Sequence, residues 1–581
     1  MATILLSAAG AALGAGFGGT VLGLSGAVIG RAIGATLGRV IDQRLMGSGS
    51  EAIETARVER FRVMGASEGA AVPQIFGRAR VAGQVIWATS FQEDVSRTGG
   101  GKGTPKPKTV DYSYSVSLAV ALCEGVITRI GRVWADGVEI APDSVNLRVY
   151  TGSEGQLPDP KIEAVEGAGM APAYRGIAYV VIEDLALGAY GNRVPQFSFE
   201  VMRAAQGDFA GQVIDLQRAV QAVALMPGTG EYALATTPVH FSRGPGVNQS
   251  VNVNSPSGRS DLETSLVQLR EELPACGSVS LVVSWFGGDL RCGVCDVQPK
   301  VEQALADGEG MPWRVAGADR SSVAQIVQIG GRPIYGGTPT DQSVIEAIQA
   351  IRDGGQEVMF YPFVLMDQLA NNGLTDPWTG APDQPVLPWR GRITLSAAPD
   401  HAGSPDRTAS AAAEVAAFFG TVSLADFTVS AGQIAYSGPA EWRYRRFILH
   451  YVHLCALAGG VEAFCIGSEM RGLTQIRGAG DSFPAVTALR VLAGEVRAIL
   501  GPTTKISYAA DWSEYFGYHA GGNVYFHLDP LWADPNIDFI GIDNYIPLSD
   551  WRDGSEHADS EWGAIYNLDY LQANIAGGGG V

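Results

Sequence analysis

Three stretches with different spacings of apolar and polar positions divide the chain. The first carries no charged side chain from Met1 to Gly30, and small residues recur at every fourth position: Gly10, Gly14 and Gly18, then Gly19 and Gly23, then Gly26, Gly30, Gly34 and Gly38. This spacing lines small residues along one helix face, where two backbones can approach closely. Each glycine costs a lone helix about 1 kcal/mol relative to alanine, so the pattern predicts Gly/Ala-rich helices stabilised by packing. The uncharged run also exceeds the roughly 20 residues that cross a bilayer core, and Arg31, Arg39 and Arg44 follow it. Two readings fit: a helical hairpin or oligomer bundle buried in a protein assembly, or a segment that enters lipid. A secretory signal is a third, opposed by the lack of a basic region in Met1–Leu6.

The second stretch is β-rich. VPQIFGRARVAGQVIW, from Val72 to Trp87, shows short apolar runs broken by Gly77 and Gly83 and predicts a hairpin. DYSYSVSLAVALCEG alternates polar and apolar residues through Ser117, as a half-buried strand does. VWADGVEI places Asp136-Gly137 at a further hairpin turn. Between Ala173 and Val201, strands are predicted at Ile177–Ile182 and Gln196–Val201 around a glycine-containing loop.

In the third stretch strands alternate with helical periods. Strands are predicted at Ser278–Phe286, Arg332–Tyr335, Glu357–Leu365, VEAFCIG before Ser468-Glu469, KISYAA before Asp511-Trp512, and IDFIGID ending at Asp543. Helices are predicted at SVIEAIQAIRDGG, Glu441–Ala458 and Phe483–Leu500, with a Pro-, Trp- and Gly-rich insertion at Asp367–Ala440. Near-continuous apolar strands joined by helices imply a parallel sheet covered by helices. The fold class is therefore multidomain α+β: N-terminal helices over residues 1–45, β-rich domains over 46–205, a connecting segment over 206–272, and a partial β/α barrel over 273–581.

Composition narrows the chemistry. A length of 581 residues suggests three or four domains, and 75 glycines, against the usual ~7%, favour turns and irregular β structure. A net charge of −19 argues against a nucleic-acid-binding surface, although DNA could slide past it. The one basic run, Arg97–Lys108, reads as a solvated loop. Six scattered cysteines make no disulfide scaffold, and Cys292-x-x-Cys295, with Cys276 upstream, lacks a fourth ligand for a metal. His450 and His453 complete no ligand set either, so no metal or cofactor is expected.

The phrases GRARVAGQVIW, VALCEG, RVWADG, AYRGIAYVVIEDL and YGNRVPQFSFEV follow one another from Val72 to Val201. They resemble the tail-tip proteins of long-tailed phages, specifically the large tail proteins of gene transfer agents, phage-like particles that package and deliver host DNA. The resemblance implies a homotrimer at the distal end of a virion tail, assembled in the cytoplasm. It would be joined to hub and distal tail proteins around a channel that DNA traverses without specific binding. It also implies contact with a cell-surface glycan or receptor, and gives residues 1–40 a role as plug or penetration device with possible membrane contact.

The barrel portion resembles the glycosidase-like barrel domain of the same tail proteins. A β/α barrel carries its chemistry past the C-terminal ends of its strands. Glu469 follows the fourth predicted strand, where retaining glycosidases of this class keep their acid/base. Asp511, Trp512, Asp543, Asn544 and Tyr545 would ring the same mouth and bind sugar. A competing role for Glu469 is pairing with Arg471 or Arg477 in a barrel that only binds. Family enzymes place the nucleophile after strand seven, and no seventh strand is visible before Val581, so a longer reading frame is expected. The leading expectation is a structural component of a tail tip that attaches to the envelope and delivers DNA, with a glycoside hydrolase as the alternative.

Overall fold

The computed structural model describes residues 71–98, 109–206, 214–242, 248–545 and 547–577. Before them it describes the strand pieces Thr20–Val21, Leu24–Ser25 and Ile53–Thr55 and the single residue Gly69. Within the expected helices over residues 1–45, the described pieces Thr20–Val21 and Leu24–Ser25 are instead short strands that pair antiparallel, and the other residues lie outside the described ones. Of the basic run Arg97–Lys108, Arg97 and Thr98 end the strand Gln92–Thr98, and residues 99–108 lie outside the described residues. No described helix is long and apolar enough to cross a membrane. The chain divides into two compact units, Met1–Asp215 with Ser255–Gly258, and Leu216–Asn254 with Arg259–Val581.

Two larger sheets make up most of the described first unit. Around the long strand Thr109–Glu124 pair Ile177–Ala186, Gln84–Ala88 and Gln92–Thr98, all antiparallel, and Asn146–Tyr150 extends the sheet beyond Ile177–Ala186. The second sheet runs Gly77–Ala82, Phe197–Arg203, Arg129–Ala135, Val138–Ile140. Val116, Leu118 and Val120 from one sheet and Val133, Phe197, Phe199 and Val201 from the other form a common core. Asp136 (φ 52°) and Gly137 (φ 82°) make the expected turn, since two adjacent positive-φ residues give the twist a two-residue hairpin needs.

One expectation changes here. Gly77–Ala82 and Gln84–Ala88 do not pair with each other but join different sheets. Gly83, between them, lies so close to the core that a Cβ there would stand 2.0 Å from Val120 Cγ1. Only glycine lets the chain cross at that point.

The second unit contains a six-stranded parallel sheet in sequential order: Ala222–Leu225, Ser278–Gly287, Glu357–Met366, Ala463–Ser468, Lys505–Asp511 and Gly541–Asp543. Helices Asp261–Glu272, Asp341–Asp353, Tyr444–Leu457 and Pro484–Leu500 follow the first four strands. This is the succession of a β/α barrel, open among the described residues after the sixth strand. In Glu357–Met366 the even positions are buried and the odd ones half-exposed; Val358, Phe360, Val364 and Met366 belong to the core shared with the helices.

Six barrel strands were expected and six are present among the described residues, but membership differs. Arg332–Tyr335 is not a barrel strand: Arg332–Pro333 pairs with Gln328–Ile329 in a small hairpin. The first barrel strand is instead Ala222–Leu225, inside the stretch read as a connecting segment. Four residues alternating between exposed and half-buried carry too weak a pattern to be separated from a loop. The strand is held by its parallel register with Ser278–Leu281.

Candidate functional site: the mouth of the barrel

Glu469 directly follows the fourth strand in a left-handed conformation, φ 49°, which costs a residue with a Cβ roughly 1–2 kcal/mol. The strand approaches this turn through Gly467, where a Cβ would stand 2.3 Å from the hydroxyl oxygen of Tyr444. Tyr444 is itself fixed by donating to the Ile466 carbonyl at 2.9 Å. Gly467→Ala is therefore expected to cost about 1–3 kcal/mol, read as a lowered denaturation midpoint, and a neutral substitution would refute this packing.

The carboxylate of Glu469 is buried and well partnered. Its Oε2 accepts from Trp389 Nε1 at 2.7 Å and pairs with the Arg390 guanidinium at 3.1 Å. Arg390 also donates to the Ser468 carbonyl at 2.9 Å and hydroxyl at 3.0 Å, and stacks 3.6 Å above the Phe363 ring. The partner is thus Arg390, from the insertion, and not Arg471 or Arg477; Arg477 pairs with Asp406 at 3.0 Å.

Asp543, at the end of the sixth strand, makes side-chain contact with Glu469 and accepts a hydrogen bond from the Tyr361 hydroxyl. Tyr361 lies on the third strand. Three strand spacings of a flat sheet would put the two strands about 14 Å apart, so this bond requires the sheet to curl. Burial, reinforced by the Glu469 charge and opposed by the Tyr361 bond, pushes the Asp543 carboxyl up to about 6. Tyr545, 67% exposed, lies beside Glu469, whose charge helps to raise its hydroxyl, and Trp389 is 36% exposed. Two carboxyls therefore share one contact, flanked by partly open aromatic rings.

Asp511 accepts from the Ser513 amide at 2.9 Å and caps the short helix Trp512–Tyr515. Trp512 packs edge-on against Phe516. Asn544 is exposed beside Asp543. Tyr361, Trp389 and Arg390 were missed in the sequence; the last two had only the Trp-rich character of the insertion to mark them. All six cysteines are buried and free, and no group of three or more metal-ligating side chains occurs among the described residues.

A retaining glycosidase keeps its two carboxyls about 5 Å apart and an inverting one about 6.5–9.5 Å; here Glu469 and Asp543 are side-chain neighbours, and the Glu469 charge helps to raise the Asp543 carboxyl. Together they make an acidic, proton-sharing floor suited to hydroxyl groups, with rings placed for stacking.

Fold and mouth together define a β/α-barrel protein with a carboxyl pair at the C-terminal ends of its strands. Residues 442–581 match the family described as the GTA TIM-barrel-like domain, so this region is a gene transfer agent barrel domain. A chain in the virion of a native gene transfer agent particle is 60% identical over 39% of this chain and 44% of its own length, with a TM-score of 0.23. A GH113 β-1,4-mannanase complex is 16% identical, covering 55% of this chain and 63% of its own, with a TM-score of 0.24. The GH113 β-mannanase from Alicyclobacillus acidocaldarius, in complex with ManMIm, is 16% identical, covering 50% and 57%, with a TM-score of 0.25. These matches span less than two thirds of the structures concerned. No curated protein matches the chain.

Proposed function

We propose that the chain is a structural component of the tail tip of a gene transfer particle, and that its barrel mouth holds a cell-surface glycan during attachment and DNA delivery. The observation that carries the glycan reading is the Glu469–Asp543 contact between Trp389 and Tyr545. Carboxyl oxygens accept from sugar hydroxyls, and the exposed ring faces can cover the apolar side of a pyranose. The family match and the 60% identity support the particle assignment. In this reading the chain is a homotrimer seated on hub and distal tail proteins. DNA passes without specific binding, in keeping with the charge of −19, and residues 1–40 form the plug or membrane-contacting element.

Immobilised full-length chain is expected to retain polysaccharide extracted from the recipient cell envelope. Trp389→Ala and Glu469→Gln should each lower retention at least tenfold, measured by sugar analysis of the bound fraction. Retention equal to the parent in both variants would remove the mouth from the reading. Particles lacking the protein should show tails with unfinished tips in electron micrographs.

One observation favours hydrolysis as a second reading: Glu469 stands at the end of the fourth strand, next to a carboxyl that keeps its proton to about pH 6. Release of soluble oligosaccharide by the parent, lost in Glu469→Gln, would establish it.

A further inference from the structure

Behind the mouth, on the short helix Trp512–Tyr515, Glu514 is completely buried with no cation paired to it among the described residues. It accepts from the Thr474 hydroxyl at 2.5 Å, from the Tyr508 hydroxyl at 3.0 and 3.2 Å, and from the Asp511 amide at 3.2 Å. Tyr508 in turn accepts the Met470 N–H at 2.7 Å. Met470 and Thr474 are the two ends of the turn that begins at Glu469. That turn has a strained left-handed residue at its start, and on its other flank Gly472 lies against the Gly391 and Ile393 carbonyls of the loop that supplies Trp389 and Arg390. A buried carboxyl without a counter-ion is unfavourable by itself, and burial pushes this one up to about 7.

We propose that Glu514 is a positioning residue: through Tyr508 and Thr474 it clamps the Met470–Thr474 turn and so holds Glu469 in contact with Asp543. It touches no ligand and acts only through that turn. The inference deepens the glycan-binding reading and rests on it for its biological meaning, but its geometry can be read without any glycan.

Trp389 donates to Glu469, so its fluorescence reports on the carboxyl pair. The groups facing the pair are Tyr361 from the third strand, Cys465 and Ser468 from the fourth, Trp389 and Arg390 from the insertion, and Tyr545 after the sixth. In the full-length chain, the emission difference between the parent and Trp389→Phe should show a transition near pH 6. Glu514→Gln should move that midpoint down by at least one pH unit or abolish it, with far-UV circular dichroism unchanged. Tyr508→Phe, which removes the acceptor of the Met470 amide, should do the same, and decides alone if Glu514→Gln does not fold. A Glu514 with a merely structural role would lower the melting temperature and leave the midpoint in place; that result overturns the proposal. A parent without the transition refutes the carboxyl pair and the clamp together, whereas failed glycan retention with a shifted midpoint refutes only the glycan reading.

Discussion

Arg320→Met is expected to destabilise the second unit by about 3–5 kcal/mol, the usual consequence of removing one partner from a buried ion pair. Arg320 donates to Glu231 at 2.5 and 3.0 Å, to the Gln303 carbonyl at 2.8 Å, to Asp307 at 3.1 Å and to the Tyr232 hydroxyl at 3.0 Å. Both charged side chains are almost inaccessible. Methionine keeps much of the volume but leaves Glu231 with the Glu302 amide, at 2.6 Å, as its remaining polar partner here. The loss thus comes from a carboxylate stranded away from water and not from the net worth of the pair. Arg320→Met/Glu231→Leu should recover most of the stability, because no charge is then buried alone. Denaturant unfolding followed by tryptophan fluorescence checks both variants. A single-variant loss below about 1 kcal/mol would contradict the buried network.

Glu514→Gln is expected to change how stability responds to acid. The folded carboxyl of Glu514 sits near 7 against an ordinary 4.5, because it is buried. Its protonation therefore adds stability that is complete below pH 4.5 and disappears as pH rises through 7. The difference corresponds to roughly 3 kcal/mol. His527 works in the opposite direction: burial pushes it down to about 4, so its contribution is present above pH 6.5 and is lost as pH falls toward 4. In the parent the two oppose each other between pH 4.5 and 6.5. In Glu514→Gln only the histidine remains, and the stability of the variant relative to the parent should drop by about 3 kcal/mol between pH 7.5 and 4.5. Denaturation midpoints at a series of pH values test this. A constant difference between parent and variant would mean that Glu514 does not titrate in this range.

What could be read in the chain was what repeats locally. The alternation in DYSYSVSLAVALCEG marked the strand Thr109–Glu124, the helical period before Leu500 marked Pro484–Leu500, and the apolar runs before Glu469 and Asp511 marked two barrel strands. Glu469 could be placed because it follows such a run directly. The first barrel strand was lost because four residues contain too few repeats to reveal a period. The crossing at Gly83 was misread because a glycine between two β runs has the same local signature whether the chain turns back or passes to another sheet.

Sequence by itself determined five of the six described barrel strands, the acidic and glycine-rich character, and the acid at the end of the fourth strand. These follow from periodicity and residue type, which act over a few neighbouring residues. Tertiary structure alone decided that Asp543 touches Glu469, that Arg390 and Trp389 hold it, that Asp511 is a helix cap and that Glu514 braces the turn from behind. Glu469 and Asp543 are 74 positions apart and Arg390 is 79 positions before Glu469. Their meeting depends on the curl of the sheet and the path of an insertion, which are set by the packing of the whole unit and leave no local pattern in the chain.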